Sequence, residues 1–111
     1  MELSEVTGDR LVQILATLAN PHRVRILAAL AGGQDYVSRL ARELGISRAL
    51  LQVHLRKLEA AGLVTSRLEL SEDGKAMKYY DIEPFSLHLT PEALAAAALS
   101  LTVDQSQGDR K

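Results

Sequence analysis

The side chains whose types and spacing suit them to chemistry are concentrated between Ala41 and Val64, ARELGISRALLQVHLRKLEAAGLV. They suit binding rather than bond making. The stretch reads as two short amphipathic helices joined by a tight turn at Gly45 and closed by Gly62. A helix, a short glycine turn and a second helix held across the first is the arrangement that seats a helix in the major groove of DNA. From His22 to Tyr80 there are ten basic side chains against six acidic ones, and the remaining segments hold three against eight. The net charge of −1 therefore hides a basic surplus on the helix pair and its flanks, which is where contact with phosphates would need it.

Catalytic and metal chemistry finds no comparable pattern. The chain has no cysteine, which removes disulfides, thiolate metal sites and cysteine nucleophiles together. His22, His54 and His88 fall on different expected elements, so the convergent donors that a metal ion needs are not expected. There is no glycine-rich phosphate loop, no nucleophile elbow and no His-Glu-x-x-His. We expect neither enzymatic activity nor a cofactor nor a metal. Hydrophobic residues make up 47% of the chain, yet no apolar run approaches the ~20 residues of a membrane span. The start, MELSEVTGDR, is polar and acidic, unlike a signal peptide. The expectation is a cytoplasmic protein that does not contact membranes.

The elements that must position the binding residues follow from periodicity. Leu11, Ile14, Leu15 and Leu18 are spaced as the buried stripe of a helix. Asn20-Pro21 ends that helix and starts the next, with asparagine as cap and proline at the first position. Ile26, Leu27 and Leu30 form the second stripe, which stops at Gly32-Gly33. Gln34 to Val37 reads as a short extended link. Val37, Leu40, Ala41 and Leu44 face inward on a third helix. Ser47 caps a fourth, whose stripe is Leu51, Leu55 and Leu58. The period then changes to two. Val64, Ser66, Leu68 and Leu70 alternate with Thr65, Arg67 and Glu69, an Asp73-Gly74 turn follows, and Ala76 to Glu83 returns as a second strand. Thr90-Pro91 opens a last helix. The order is α-α-α-α-β-β-α, a mainly helical winged helix-turn-helix in one domain spanning 1–111, with flexible ends over 1–8 and 104–111.

LANPHRVRILAAL (Leu18 to Leu30), LARELGISRALLQVHLRKLEAAGLV (Leu40 to Val64) and the wing ending in KYYDI together resemble the ArsR-type family of small bacterial and archaeal transcription regulators. The resemblance covers roughly residues 10 to 100. It implies that the fourth helix enters the major groove, with Ser47 at its start and Arg48, Ala49, Gln52, Val53 and Arg56 on its outer face. Arg48 has the donors for a guanine edge and Gln52 the donor and acceptor for adenine. Ala49 and Val53 suit a thymine methyl. His54 is a candidate phosphate contact, set against a packed, hydrogen-bonded role inside the domain. Lys75 and Lys78 on the wing are the candidate phosphate partners there, with Glu72 and Asp73 opposing them. Members of the family often carry polar residues where this chain has Ala49, Leu50 and Val53. That departure shifts recognition toward shape and phosphate contacts.

Regulators of this type often release DNA on binding metal, through cysteines on the third helix or through Asp, His and Glu ligands that include the last helix. This chain has no cysteines for the first arrangement and no convergent set for the second, so no effector follows from the resemblance. The family is homodimeric. The alanine-rich last helix fits that implication, and Leu11, Leu15, Leu94, Ala98 and Leu101 are the candidate dimer contacts. A two-fold dimer implies a near-palindromic double-stranded operator. The alternative reading is a winged helix used for protein contacts in a transcription or chromosome-organising assembly.

Overall fold

The computed structural model describes residues 6–102. The elements run α1 (Gly8–Leu18), α2 (Pro21–Ala31), β1 (Asp35–Tyr36), α3 (Val37–Leu44), α4 (Arg48–Ala60), β2 (Val64–Leu70), β3 (Ala76–Ile82) and α5 (Pro91–Ala98). They group into two compact units, residues 15–84 in one and the residues up to Ile14 together with those from Phe85 onward in the other.

In the first unit the expected helix starts and stops are built as hydrogen bonds. The Asn20 side chain accepts the backbone N–H groups of His22 and Arg23, with Pro21 at the first helical position of α2. Ile26, Leu30, Leu40, Leu51, Leu55, Leu58, Leu63 and Val64 are all almost fully buried. α2 packs on α3, α4 and β3, while α4 packs on α3 and β2. Leu44, expected inward, is only half-buried.

The extended link after α2 is more than a link. Asp35 and Tyr36 pair antiparallel with Tyr80 and Tyr79, making a three-stranded sheet in the order β1-β3-β2. A two-residue strand has no period to read, so the sequence showed it only as extended chain. Tyr36 and Tyr79 meet edge to face, with ring centroids 5.5 Å apart. β2 and β3 pair in register from Val64–Ile82 to Leu70–Ala76. The connecting turn is closed by Gly74 N–H to the Ser71 carbonyl at 2.9 Å and Ser71 N–H to the Lys75 carbonyl at 2.8 Å. Only the base of the hairpin meets the core: Val64 is 1% exposed, but Leu68 and Leu70 are 70% and 76% exposed.

In the second unit Thr7 caps α1. Its Oγ1 accepts the Arg10 N–H at 3.2 Å and its carbonyl accepts from Leu11. Of the ends expected to be flexible, residues 1–5 and 104–111 lie outside those described. Gly8 abuts the end of α5. A Cβ there would lie 2.2 Å from the Ala97 carbonyl oxygen, so only glycine permits the approach. Thr90 caps α5, its hydroxyl accepting the Ala93 N–H. That helix ends at Ala98, one turn short of Leu101. Leu99, Ser100 and Leu101 donate three residues back, Gly8 N–H bonds to Ser100 Oγ, and Asp9 holds both the N–H and hydroxyl of Thr102. These bonds tighten the chain out of the helical path.

The α3–α4 turn depends on backbone conformation more than on contacts. Gly45 lies at φ 71°, ψ 30°, in the left-handed region. Its N–H donates to the Arg42 carbonyl and that of Ile46 to the Ala41 carbonyl, the paired bonds that close a helix around a glycine. A side chain at Gly45 would meet no neighbour within 4 Å, so the conformation alone selects glycine. Gly45→Ala is expected to destabilise the protein by about 1–2 kcal/mol, read as a lower urea midpoint with unchanged slope.

Candidate nucleic-acid interface

α4 is built to present one face. Ser47 precedes it in extended conformation, and its Oγ accepts the Leu50 N–H at 3.0 Å. That bond satisfies one of the unpaired N–H groups at the helix start. Leu51, Leu55 and Leu58 are buried at 0% exposure. Their spacing of four and three residues sets the rotation of the helix about its axis. Arg48, Ala49, Gln52, Val53 and Arg56 are consequently all exposed. Arg48, Gln52 and Arg56 follow one another at i, i+4 and i+8, so their polar groups form a ridge along the helix. Val53 and Leu50, at 40% and 38% exposure, set apolar surface beside that ridge.

The structure brings part of the wing to the same place. A cleft of about 200 Å³ is lined by Arg48 and Gln52 from α4, Tyr36, Val37 and Ser38 at the start of α3, and Ala76, Met77 and Lys78 from β3. Lys78 thus joins Arg48 and Gln52. Lys75 does not line this cleft; it closes the turn at the wing tip. Sequence reading missed Tyr36, Ser38 and Met77. The signal for them is the β1–β3 pairing, which draws the start of α3 against the wing, and two extended residues gave no period by which to find it.

Among the described residues, Arg48, Arg56, Lys75 and Lys78 form no ion pair; the pairs present are Arg39 with Asp35 and Arg67 with Glu69. Arg67 also donates to Gln34 Oε1, so its charge is committed within the sheet region. Lys78 Nζ lies 5.5 Å from the centre of the Tyr80 ring, near enough for a modest attraction to the ring face. The wing tip is electrically mixed. The Ser71 hydroxyl donates to Asp73 Oδ1 and holds that carboxyl below its usual range. The tip therefore carries an ionised Asp73 beside Lys75, and a phosphate approaching it meets both signs.

His54 departs from its place among the candidate contacts. It is 6% exposed, lies behind the outer face of α4, and accepts a hydrogen bond at Nδ1 from Arg23 Nε. Burial, then the charges of Arg23, His22 and Lys57, push its pKa down. Enclosed behind the outer face of α4, the ring is out of reach of a phosphate and takes the packed, hydrogen-bonded role. Of the candidate dimer contacts, Leu11 is also buried, at 6% exposure, so little of it remains for a partner. Leu15 is half-buried and Ala98 exposed, while Leu94 and Leu101 are 48% and 43% exposed. Among the described residues, no three His, Cys, Asp or Glu side chains come together to hold a metal ion, and no helix is long and apolar enough to cross a membrane.

The sequence and the fold both match known proteins. The family model for bacterial regulatory proteins of the arsR family matches residues 20–66. An uncharacterised HTH-type transcriptional regulator of Methanocaldococcus jannaschii is 39% identical over 75% of this chain and 86% of its own length. The HTH-type transcriptional regulator CmtR of Mycobacterium tuberculosis is 36% identical over 68% of this chain, which spans 60% of CmtR. Among solved structures, the homodimeric winged helix-turn-helix DNA-binding domain of a possible ArsR-family transcriptional regulator from Mycobacterium bovis superposes with a TM-score of 0.60 at 27% identity, covering 91% of this chain and 80% of that one.

The Ser47 cap is the local bond that starts the presented helix. Ser47→Ala is expected to lower stability by about 1 kcal/mol, measured by urea unfolding followed by circular dichroism. A change within error would mean that the cap does not hold the helix start.

Proposed function

The chain belongs to the ArsR family of winged helix-turn-helix transcriptional regulators, and on that premise we propose that it binds a near-palindromic double-stranded DNA operator as a homodimer in the cytoplasm. The observation that carries the reading is the convergence of Arg48 and Gln52 on α4 with Lys78 on β3 around one cleft. Arg48 donates to a guanine edge and Gln52 pairs with an adenine edge, each bidentate. Ala49 and Val53 lie against thymine methyl groups. Arg56 and Lys78 meet phosphates, as does Lys75 from the wing tip, and Ser47 sits at the helix end that enters the groove. With few polar base readers on α4, much of the selectivity comes from groove shape and backbone deformability. A two-fold dimer sets its two recognition helices about one helical turn apart, ~34–36 Å. Exposed Leu94, Ala98 and Leu101 supply the pairing surface.

One observation favours a second reading, a winged helix that binds protein. Leu68 and Leu70 stand exposed on the wing near the acidic residues of its tip. Salt dependence separates the two. Affinity for duplexes selected from a random library is expected to fall by orders of magnitude between roughly 50 and 200 mM salt, and Lys78→Ala should reduce the slope by about one. Arg48→Ala and Gln52→Ala should each relax preference at a distinct base position, by about 1–3 kcal/mol. Absence of duplex binding at low salt by folded protein would remove the DNA reading and favour the protein-binding one.

The pairing surface has its own test. Leu94→Glu places a charge in the apolar contact, and sedimentation should show the parent as a dimer and the variant as a folded monomer. An unchanged dimer would move the interface elsewhere.

A further inference from the structure

Arg23 and His54 lie behind the exposed face of α4, and the DNA reading gives them no contact. Asn20 Oδ1 accepts the backbone N–H of His22 at 2.9 Å and of Arg23 at 3.3 Å. Arg23 thus sits in the first turn of α2, where the helix dipole disfavours a cation. Its guanidinium turns back instead. Nη1 donates to the Thr17 carbonyl in the last turn of α1 at 3.1 Å, and Nε donates to His54 Nδ1 on α4 at 3.2 Å. One side chain therefore ties the end of α1 and the start of α2 to the middle of the recognition helix.

This bond specifies the protonation state of its acceptor. A ring nitrogen that accepts carries no proton, so His54 is neutral with its hydrogen on Nε2. Nε2 is buried and, among the described residues, has no hydrogen-bond partner. The His22 ring lies 5.2 Å away, tilted by 37°. The charged groups that bear on His54 are Arg23 and His22 from α2 and Lys57 from α4 itself; α3 and β2, which also pack on α4, add none. Among the described residues, the charges that shift the ring are all basic.

We propose that Arg23 is a positioning residue for the recognition helix, acting through His54 as a proton-sensitive latch that holds α4 when the imidazole is neutral and releases it when a second proton binds. The proton comes from solvent and takes the Nδ1 lone pair. The Arg23 Nε–H then faces another N–H, and two cations meet at a part-buried site. The latch exists independently of DNA, and only its effect on operator binding rests on the reading above. The sign follows from burial and the neighbouring charges, which hold His54 below its ordinary value of about 6.5. The unfolded chain takes the proton first, so this contribution to stability is complete above about pH 6.5 and is lost as pH falls toward the lower folded value.

The test compares the full chain with His54→Asn, whose amide oxygen replaces Nδ1 as acceptor and does not titrate. Urea midpoints and affinity for a selected duplex are measured from pH 7.5 to 5.5 at fixed ionic strength. The parent midpoint should fall with pH, and its affinity should weaken progressively, by less than about tenfold at pH 5.5, the bound that linkage sets for a histidine titrating below 6.5. The variant should stay within about twofold in affinity and show a flatter midpoint. Protonating an exposed histidine adds positive charge and strengthens DNA binding, so weakening has the sign that the latch gives. Parallel pH profiles for parent and variant would overturn the proposal. If the parent binds no duplex at pH 7.5, the DNA reading fails and the urea profiles alone decide the latch. If His54→Asn does not fold, the parent's own NMR titration decides it. Backbone amides of α4 should shift together with the His54 ring, and a ring that titrates while those amides stay still would overturn the proposal.

Discussion

The buried stripe of Leu51, Leu55 and Leu58 is the constraint on which the rest depends. Each of these side chains is fully removed from solvent, and each contributes roughly 1.5–3 kcal/mol by that burial. The larger consequence is geometric. Three buried positions on one helix leave one rotation about the axis, and that rotation sends Arg48, Gln52 and Arg56 outward. Any slip that exposed the leucines would also turn the basic ridge into the domain. Stability and presentation are therefore set by the same packing.

Two kinds of support act on that helix. Its start is placed locally, by the glycine turn at Gly45 and the Ser47 hydroxyl. Its middle is placed from a distance, by leucine packing and by the Arg23–His54 bond to α2. The sheet adds the remaining element. Pairing of Asp35 and Tyr36 with β3 draws the start of α3 to the wing, so that Ser38, Arg48, Gln52 and Lys78 border one cleft. The wing beyond that cleft lacks backing from the core, as the exposure of Leu68 and Leu70 records.

Much of this was legible in the sequence because it is local. Asn20-Pro21, Gly45, Ser47 and Thr90-Pro91 carry their structural meaning in their own backbone chemistry, and each acts as a cap or stop where it was read. The leucine stripe of α4 was equally readable, since a period of 3.6 survives without knowledge of what it packs against. What escaped depends on long-range pairing. β1 has two residues, too few for a pattern. The early end of α5 depends on Ser100 meeting Gly8, across 92 residues. The packed role of His54 was among its readings, but its partner, Arg23 on α2, lies 31 residues away and no local pattern pointed to it.

The proposed DNA-binding surface joins the outer face of α4 to the adjoining start of α3 and β3. The most direct measurement is an amide chemical-shift map of labelled protein titrated with a selected duplex. Shifts are expected to concentrate at Ser38, Ser47 to Arg56 and Met77 to Lys78, with little change in α5. Shifts centred on Leu68 and Leu70 of the outer wing, with α4 unmoved, would contradict it.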